Sequence, residues 1–138
     1  MSQEKIDKVI ASPFDLVIID TSMFPNGKEI RLTREQIDSL KKKPDGSRRL
    51  VIAYFSIGEA EVYRYYWRWT WGGKWYTGWL GWLFAPSWLG RHNDEWGGNY
   101  AVRYWDPGWQ NIVLGKGGYL DRIIAAGFDG VWLDKVDS

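Results

Sequence analysis

The chain has 138 residues, 45% of them hydrophobic and 25% charged, which is the make-up of one ordinary soluble globular unit and excludes a disordered segment. Eighteen basic against seventeen acidic residues leave a net charge of +1, so no broad field favours phosphate backbones or anionic lipid, and nucleic acid is not expected as a partner. With no cysteine, a disulfide framework and a thiolate metal site are excluded as well.

In chain order, MSQEKIDKVIAS at the N-terminus reads as a polar helical stretch; it lacks a charged start followed by an apolar run, so it is no secretory signal. Ser12-Pro13 ends that helix, and FDLVIID, Phe14 to Asp20, has the length and apolar content of a buried strand. Thr33-Arg34-Glu35-Gln36 is a capping box, with Ile37 and Leu40 as the apolar stripe of a short helix and Lys41-Lys42-Lys43 at the negative end of its dipole. Pro44-Asp45-Gly46 turns the chain into LVIAYF, Leu50 to Phe55, a second continuous apolar strand. From Ser56 to Trp105 the sequence reads as a long irregular region in which Tyr100 to Tyr104 forms a short extended piece; loops of that length are usually functional. Asp106-Pro107 opens a helical region reaching Ala126, divided in two by Gly115, Gly117 and Gly118. FDGVWLD, Phe128 to Asp134, then repeats the pattern of the first strand.

Alternating apolar strands and helices imply an α/β fold with a parallel sheet, either open and doubly wound or closed into a barrel. Asp20-Thr21-Ser22-Met23 after the first strand is not a glycine-rich phosphate loop, which disfavours the nucleotide-binding open sheet and favours the barrel. No cofactor is expected. No apolar run approaches the roughly 20 residues that span a bilayer, so no membrane span is expected.

In a parallel sheet, functional groups gather beyond the C-terminal strand ends. Asp15 and Asp129 open their strands and belong to the stabilising end; Asp20 and Asp134 close theirs, roughly 17 Å away at the usual strand rise. Glu59 and Glu61 follow the middle strand and Asp137 follows Asp134, so the functional face is expected to carry Asp20, Glu59, Glu61, Asp134 and Asp137. Such a cluster suits glycoside cleavage, or an oxygen-ligated metal. The aromatic excess, with eleven Trp, favours sugar, because aromatic rings stack on the apolar faces of sugars. Tyr54, Tyr65, Tyr66 and Trp67 either line a sugar subsite or pack the loop, and the Trp69 to Trp82 cluster reads as a platform, an internal plug or an interface. Arg64 and Arg103 read as forks that hold carboxylates, with Arg64 the partner of Glu59 or Glu61 if either is structural. His92 is a lone histidine, so no metal site is expected around it.

The phrases SPFDLVIID, AYFSIGEAEVYRYYW, APSWLG, NYAVRYWDP and AAGFDGVWLD with Val136-Asp137 together resemble the TIM-barrel domain of glycoside hydrolase family 114, the endo-α-1,4-polygalactosaminidase family. The resemblance covers most of Ser12 to Asp137. It implies hydrolysis within a cationic polymer of α-1,4-linked galactosamine, with Asp134 as one catalytic carboxylate and the second, a Glu on a later strand, outside this chain. It also implies that the three strands are the second to fourth of eight. Residues 1–138 are then a single partial (β/α)₈ barrel domain of three to four parallel strands, lacking the first strand and the C-terminal half. A secreted or periplasmic parent protein is implied too. Two features depart from the family pattern: the extreme Trp content before Pro86, and Lys135 where a small or polar residue is common. The competing readings are a non-catalytic carbohydrate-binding piece or inactive fragment, and a peripheral membrane module that uses the Trp cluster.

Overall fold

The computed structural model describes residues 2–25, 28–71 and 83–136. Its frame is a parallel sheet of β1 (Leu16–Ile19), β4 (Leu50–Ser56) and β8 (Gly130–Asp134), with β4 in the middle. Leu16 lies opposite Leu50, and Ser56 opposite Asp134, so the three strands point the same way; β4 and β8 end level with each other, while β1 ends at Ile19, opposite Ala53. Flanking helices α1 (Gln3–Ile10), α2 (Arg34–Leu40), α3 (Pro107–Leu114) and α4 (Tyr119–Ala126) complete the α/β arrangement expected of a partial barrel. None of the helices among the described residues is long and apolar enough to cross a membrane.

Local chemistry sets the helix bounds. Thr33 and Gln36 form the reciprocal capping box of α2. Asp106 accepts the Gly108 amide at 2.7 Å to cap α3, with Pro107 in its first turn. The break between α3 and α4 falls at the expected glycines: a Cβ on Gly118 would lie 2.7 Å from the Gly115 carbonyl oxygen, and Gly117 is left-handed at φ +72°. The lysines after α2 act differently from the dipole reading. Lys41 reaches Asp129 at 3.0 Å and Lys43 reaches Asp15 at 2.7 Å, tying the helix end to the N-terminal ends of β8 and β1.

Side-chain alternation divides the sheet. Val51, Ala53 and Phe55 are buried beneath the helices, whereas Leu16, Ile18, Leu50 and Trp132, on the opposite face, are each between 42% and 55% exposed. In a closed barrel that second face is the interior. One core forms around Ile6, Ile37, Leu40 and Val51, and another around Phe55, Trp109, Tyr119 and Ile123; Phe128 packs against both. Arg49, fully buried just before β4, donates from Nη1 to the Val9 carbonyl and from Nη2 to those of Ser12 (2.6 Å) and Ile10 (3.4 Å). It thereby ties the approach to β4 to the carbonyls at and just after the end of α1.

Among the described residues, the segments that follow β1 and β4 hold more regular structure than their sequence implies. A short hairpin of β2 (Ser22–Met23) and β3 (Ile30–Arg31) follows β1, and a three-stranded antiparallel sheet lies beyond β4. The latter runs β5 (Glu59–Glu61), β7 (Asn99–Val102), β6 (Leu89–His92), and β7 contains the start of the extended piece read from the sequence. Beyond β4, Trp71 meets Trp88 at 5.1 Å and Trp88 meets Trp109 at 4.9 Å, so these rings are core. Trp69 is exposed, and Trp75, Trp79 and Trp82 of the Trp69 to Trp82 cluster lie outside the described residues.

Candidate active site

The strand ends and the antiparallel sheet together build a cleft. Asp134 closes β8, and Tyr54, two residues before the end of β4, donates its hydroxyl to Asp134 Oδ2. Burial, then the hydrogen bond and charge of Asp134, push the Tyr54 hydroxyl pKa up, so it stays a donor across the physiological range. Only Ile57 and Gly58 separate β4 from β5, where Glu59 and Glu61 share a face and Ala60 turns into the core. Both glutamates border a cleft of about 630 Å³ with Tyr54, Asp134 and Lys135.

The four described acids of this face have different partners. Glu59 accepts from Asn93 Nδ2 on Oε1 and from Asn99 Nδ2 on Oε2, each at 2.8 Å, and Lys135 Nζ lies 3.5 Å from Oε1. Glu61 accepts the Tyr63 hydroxyl on Oε1 and Arg64 Nε on Oε2 at 2.5 Å. Asp20 is gripped by both Arg64 Nη atoms, at 2.8 and 2.9 Å. Arg64, 3% exposed, also faces the rings of Phe24, Tyr63 and Tyr119 at 5.1 to 5.6 Å. Burial opposes its charge, but the Asp20 hydrogen bonds and the nearby carboxylates outweigh burial and hold its pKa above the usual value. The Asp134 carboxylate, among the described residues, accepts only the Tyr54 hydroxyl. Among the described residues it pairs with no cation.

The structure thus brings Asp134, Tyr54, Glu59 and Glu61 to one cleft and separates the other sequence candidates. Asp20 is sequestered by Arg64 and does not line the cleft. Tyr65 lies under the Arg122 guanidinium, 3.6 Å from its ring centre, and borders a different hollow with Thr21 and Tyr119. Trp67, partly buried, packs against the core on Tyr100 at 5.0 Å and Trp71 at 5.6 Å and does not line the cleft. Asp137 lies outside the described residues. Arg64 is the carboxylate fork that its sequence reading proposed, with Glu61 as one partner. Arg103 is not, since its Nη1 donates to the Ser87 carbonyl at 3.0 Å. His92 packs against Tyr100 and lies 3.4 Å from Asp94; among the described residues no group of three or more His, Asp or Glu could hold a metal ion. Tyr63, Asn93, Trp96 and Asn99 were missed as site residues. The repeated tyrosines after Glu61 and the Asn99-Tyr100 phrase were the available signals.

The profile of glycoside-hydrolase family GH114 matches residues 3–138. The chain is 45% identical over 134 residues to an uncharacterized protein of Methanocaldococcus jannaschii, a match covering 96% of this chain and 33% of that protein. An uncharacterized protein of Deinococcus radiodurans is 38% identical over 141 residues, covering 99% of this chain and 37% of the relative. One from Thermotoga maritima is 34% identical over 137 residues, covering 95% and 35%. The chain therefore spans about a third of the length of these curated relatives. Among solved structures, it is similar to Aspergillus fumigatus Ega3, crystallised in complex with galactosamine, with a TM-score of 0.59 and 27% identity. That match covers 91% of this chain and 38% of Ega3.

Proposed function

The chain belongs to glycoside-hydrolase family GH114, and on that premise we propose that its cleft serves the cleavage of α-1,4-linked galactosamine polymers, with Asp134 as one catalytic carboxylate. The observation that carries this reading is the sorting of the acids. Glu59 and Glu61 are held by cations and amides, whereas Asp134 meets only the Tyr54 hydroxyl among the described residues. A carboxylate oriented by one hydroxyl, with its other oxygen directed at no described partner, suits a nucleophile or proton-transfer group at a glycosidic bond. Glycoside cleavage takes two carboxyl groups, and the engagement of Glu59 and Glu61 leaves the second role to a residue beyond those described. The substrate class draws on the galactosamine bound in Ega3 and on the cleft's charge, since Arg64 and Lys135 offset only part of Glu59, Glu61 and Asp134. The alternative is a carbohydrate-binding unit without turnover; it draws on that same engagement of the two glutamates.

The test compares Asp134→Asn with Asp129→Asn in the protein expressed from its complete reading frame. Asp134→Asn keeps the shape and removes the charge or proton, so turnover of deacetylated polygalactosamine should fall by about 10² or more with the melt nearly unchanged. Asp129, at the opposite end of the same strand, should leave turnover per folded molecule unaffected. Near-parental turnover in Asp134→Asn would remove it from catalysis. Binding of the polymer without any hydrolysis by the parental protein would favour the alternative.

A further inference from the structure

We infer that Lys135 is a specificity-determining residue that reserves the part of the cleft beside Glu59 for an uncharged sugar substituent, an acetamido or hydroxyl group, and excludes an ammonium there. The inference rests on the galactosamine reading above and refines it. Lys135 is the first residue after β8 and adopts a left-handed backbone at φ +59°, the one such non-glycine residue among those described. Left-handed backbone is costly for a residue with a Cβ and tends to persist where the site requires it. This backbone turns Lys135 away from the strand direction, and its side chain borders the cleft, about a third exposed, with Nζ 3.5 Å from Glu59 Oε1.

Glu59 is in turn fixed from the other side by Asn93 and Asn99, one amide on each oxygen. It is thus a socket for a cation that the chain itself supplies. A deacetylated aminosugar offers the same chemistry as the lysine side chain, a primary ammonium, and meets repulsion from Lys135 where it would otherwise meet attraction from Glu59. An N-acetylated residue carries no such charge. Asp134, with no cation partner among the described residues, keeps the rest of the cleft favourable to ammonium. The cleft therefore reads the acetylation pattern of the polymer, accepting charge at one position and refusing it at another. A built-in repulsive group is a common way to discriminate between close substrates.

The experiment measures hydrolysis and calorimetric binding of fully deacetylated and partly N-acetylated galactosamine oligomers. It uses the parental protein, Lys135→Met, Lys135→Gln and Lys135→Arg, each expressed from the complete reading frame and checked by thermal melt. The neutral variants should shift the affinity ratio toward the fully deacetylated oligomer by about tenfold, in the range of one partly screened like-charge contact, and the shift should shrink at high salt. Lys135→Arg should keep the parental ratio. An unchanged ratio in both neutral variants, or the same shift in Lys135→Arg, would overturn the inference. A shifted binding ratio with no hydrolysis by any form sinks the hydrolase reading and leaves the inference standing, whereas binding of neither oligomer by the parental protein overturns both.

Discussion

Arg64 joins two acids from distant parts of the chain, Asp20 just after β1 and Glu61 on β5, and its side chain is closed off by aromatic rings. A guanidinium so enclosed is stable only while its acceptors are present, and the acceptors are stable only while it is. Arg64→Met should therefore cost about 3–5 kcal/mol, the usual range for breaking a buried pair from one side. Arg64→Lys keeps the charge but loses the planar fork that holds both Asp20 oxygens, and should recover only part of that loss. Urea titrations of the three forms measure this, and a loss under about 1 kcal/mol for Arg64→Met would place the cluster among weak surface pairs. At this scale the acids were legible in the sequence, because Asp134, Glu59 and Glu61 fall just where parallel strands end. Their sorting was not. The groups that decide it, Asn93, Asn99 and Lys135, come from segments 34 to 76 residues away from Glu59 along the chain, brought in only by folding.

The strands and helices were legible for a related reason, since each is specified by local chemistry. Continuous apolar runs mark strands covered on both faces, Thr33 and Asp106 mark helix starts, and three glycines mark the break between α3 and α4. Of the β5–β7–β6 sheet only part of β7 is legible in the sequence, because the strands have three or four residues each, too few for a pattern, and are held by pairing across the loop. The tryptophans left inward and outward readings open in the same way: enrichment is visible in a sequence, but the ring contacts that turn Trp67, Trp71 and Trp88 inward are tertiary. One element-level prediction concerns the start of β8. Asp129 accepts the Val51 amide at 2.9 Å and pairs with Lys41 and Arg48. Burial raises its pKa, yet these bonds outweigh it and hold the folded-state value below the ordinary 3.8. Its contribution is thus fully present above 3.8 and is lost as pH falls through the lower folded value. Asp129→Asn should lower stability at neutral pH and flatten the decline in acid. Melts across an acid pH series test this, and parallel curves for the two proteins would contradict it.

At the scale of the molecule, a parallel sheet is normally covered on both faces, and among the described residues this one is covered on one. Leu16, Ile18, Leu50 and Trp132 form the uncovered apolar face, and β1 and β8 are the sheet's outer strands among the described residues. A complete eight-stranded barrel takes about 250 residues and fills that face with side chains from neighbouring strands. The 138 residues as an isolated polypeptide should therefore self-associate, with a broad melt that depends on concentration and with binding of a dye specific for apolar surface. A sharp melt of a monomer, independent of concentration, would contradict this.

The anchoring of Arg49 has a consequence for where the polypeptide can be divided. Its acceptors are carbonyls at and just after the end of α1, while its own backbone immediately precedes β4, so the helix serves as the counter-group to a cation inside the protein. A protease cut or a fusion boundary placed after Ser12 would do more than remove a surface helix. It would leave a guanidinium in an apolar interior with nothing to receive its protons, and the damage would appear at the strand that carries Tyr54 to Asp134.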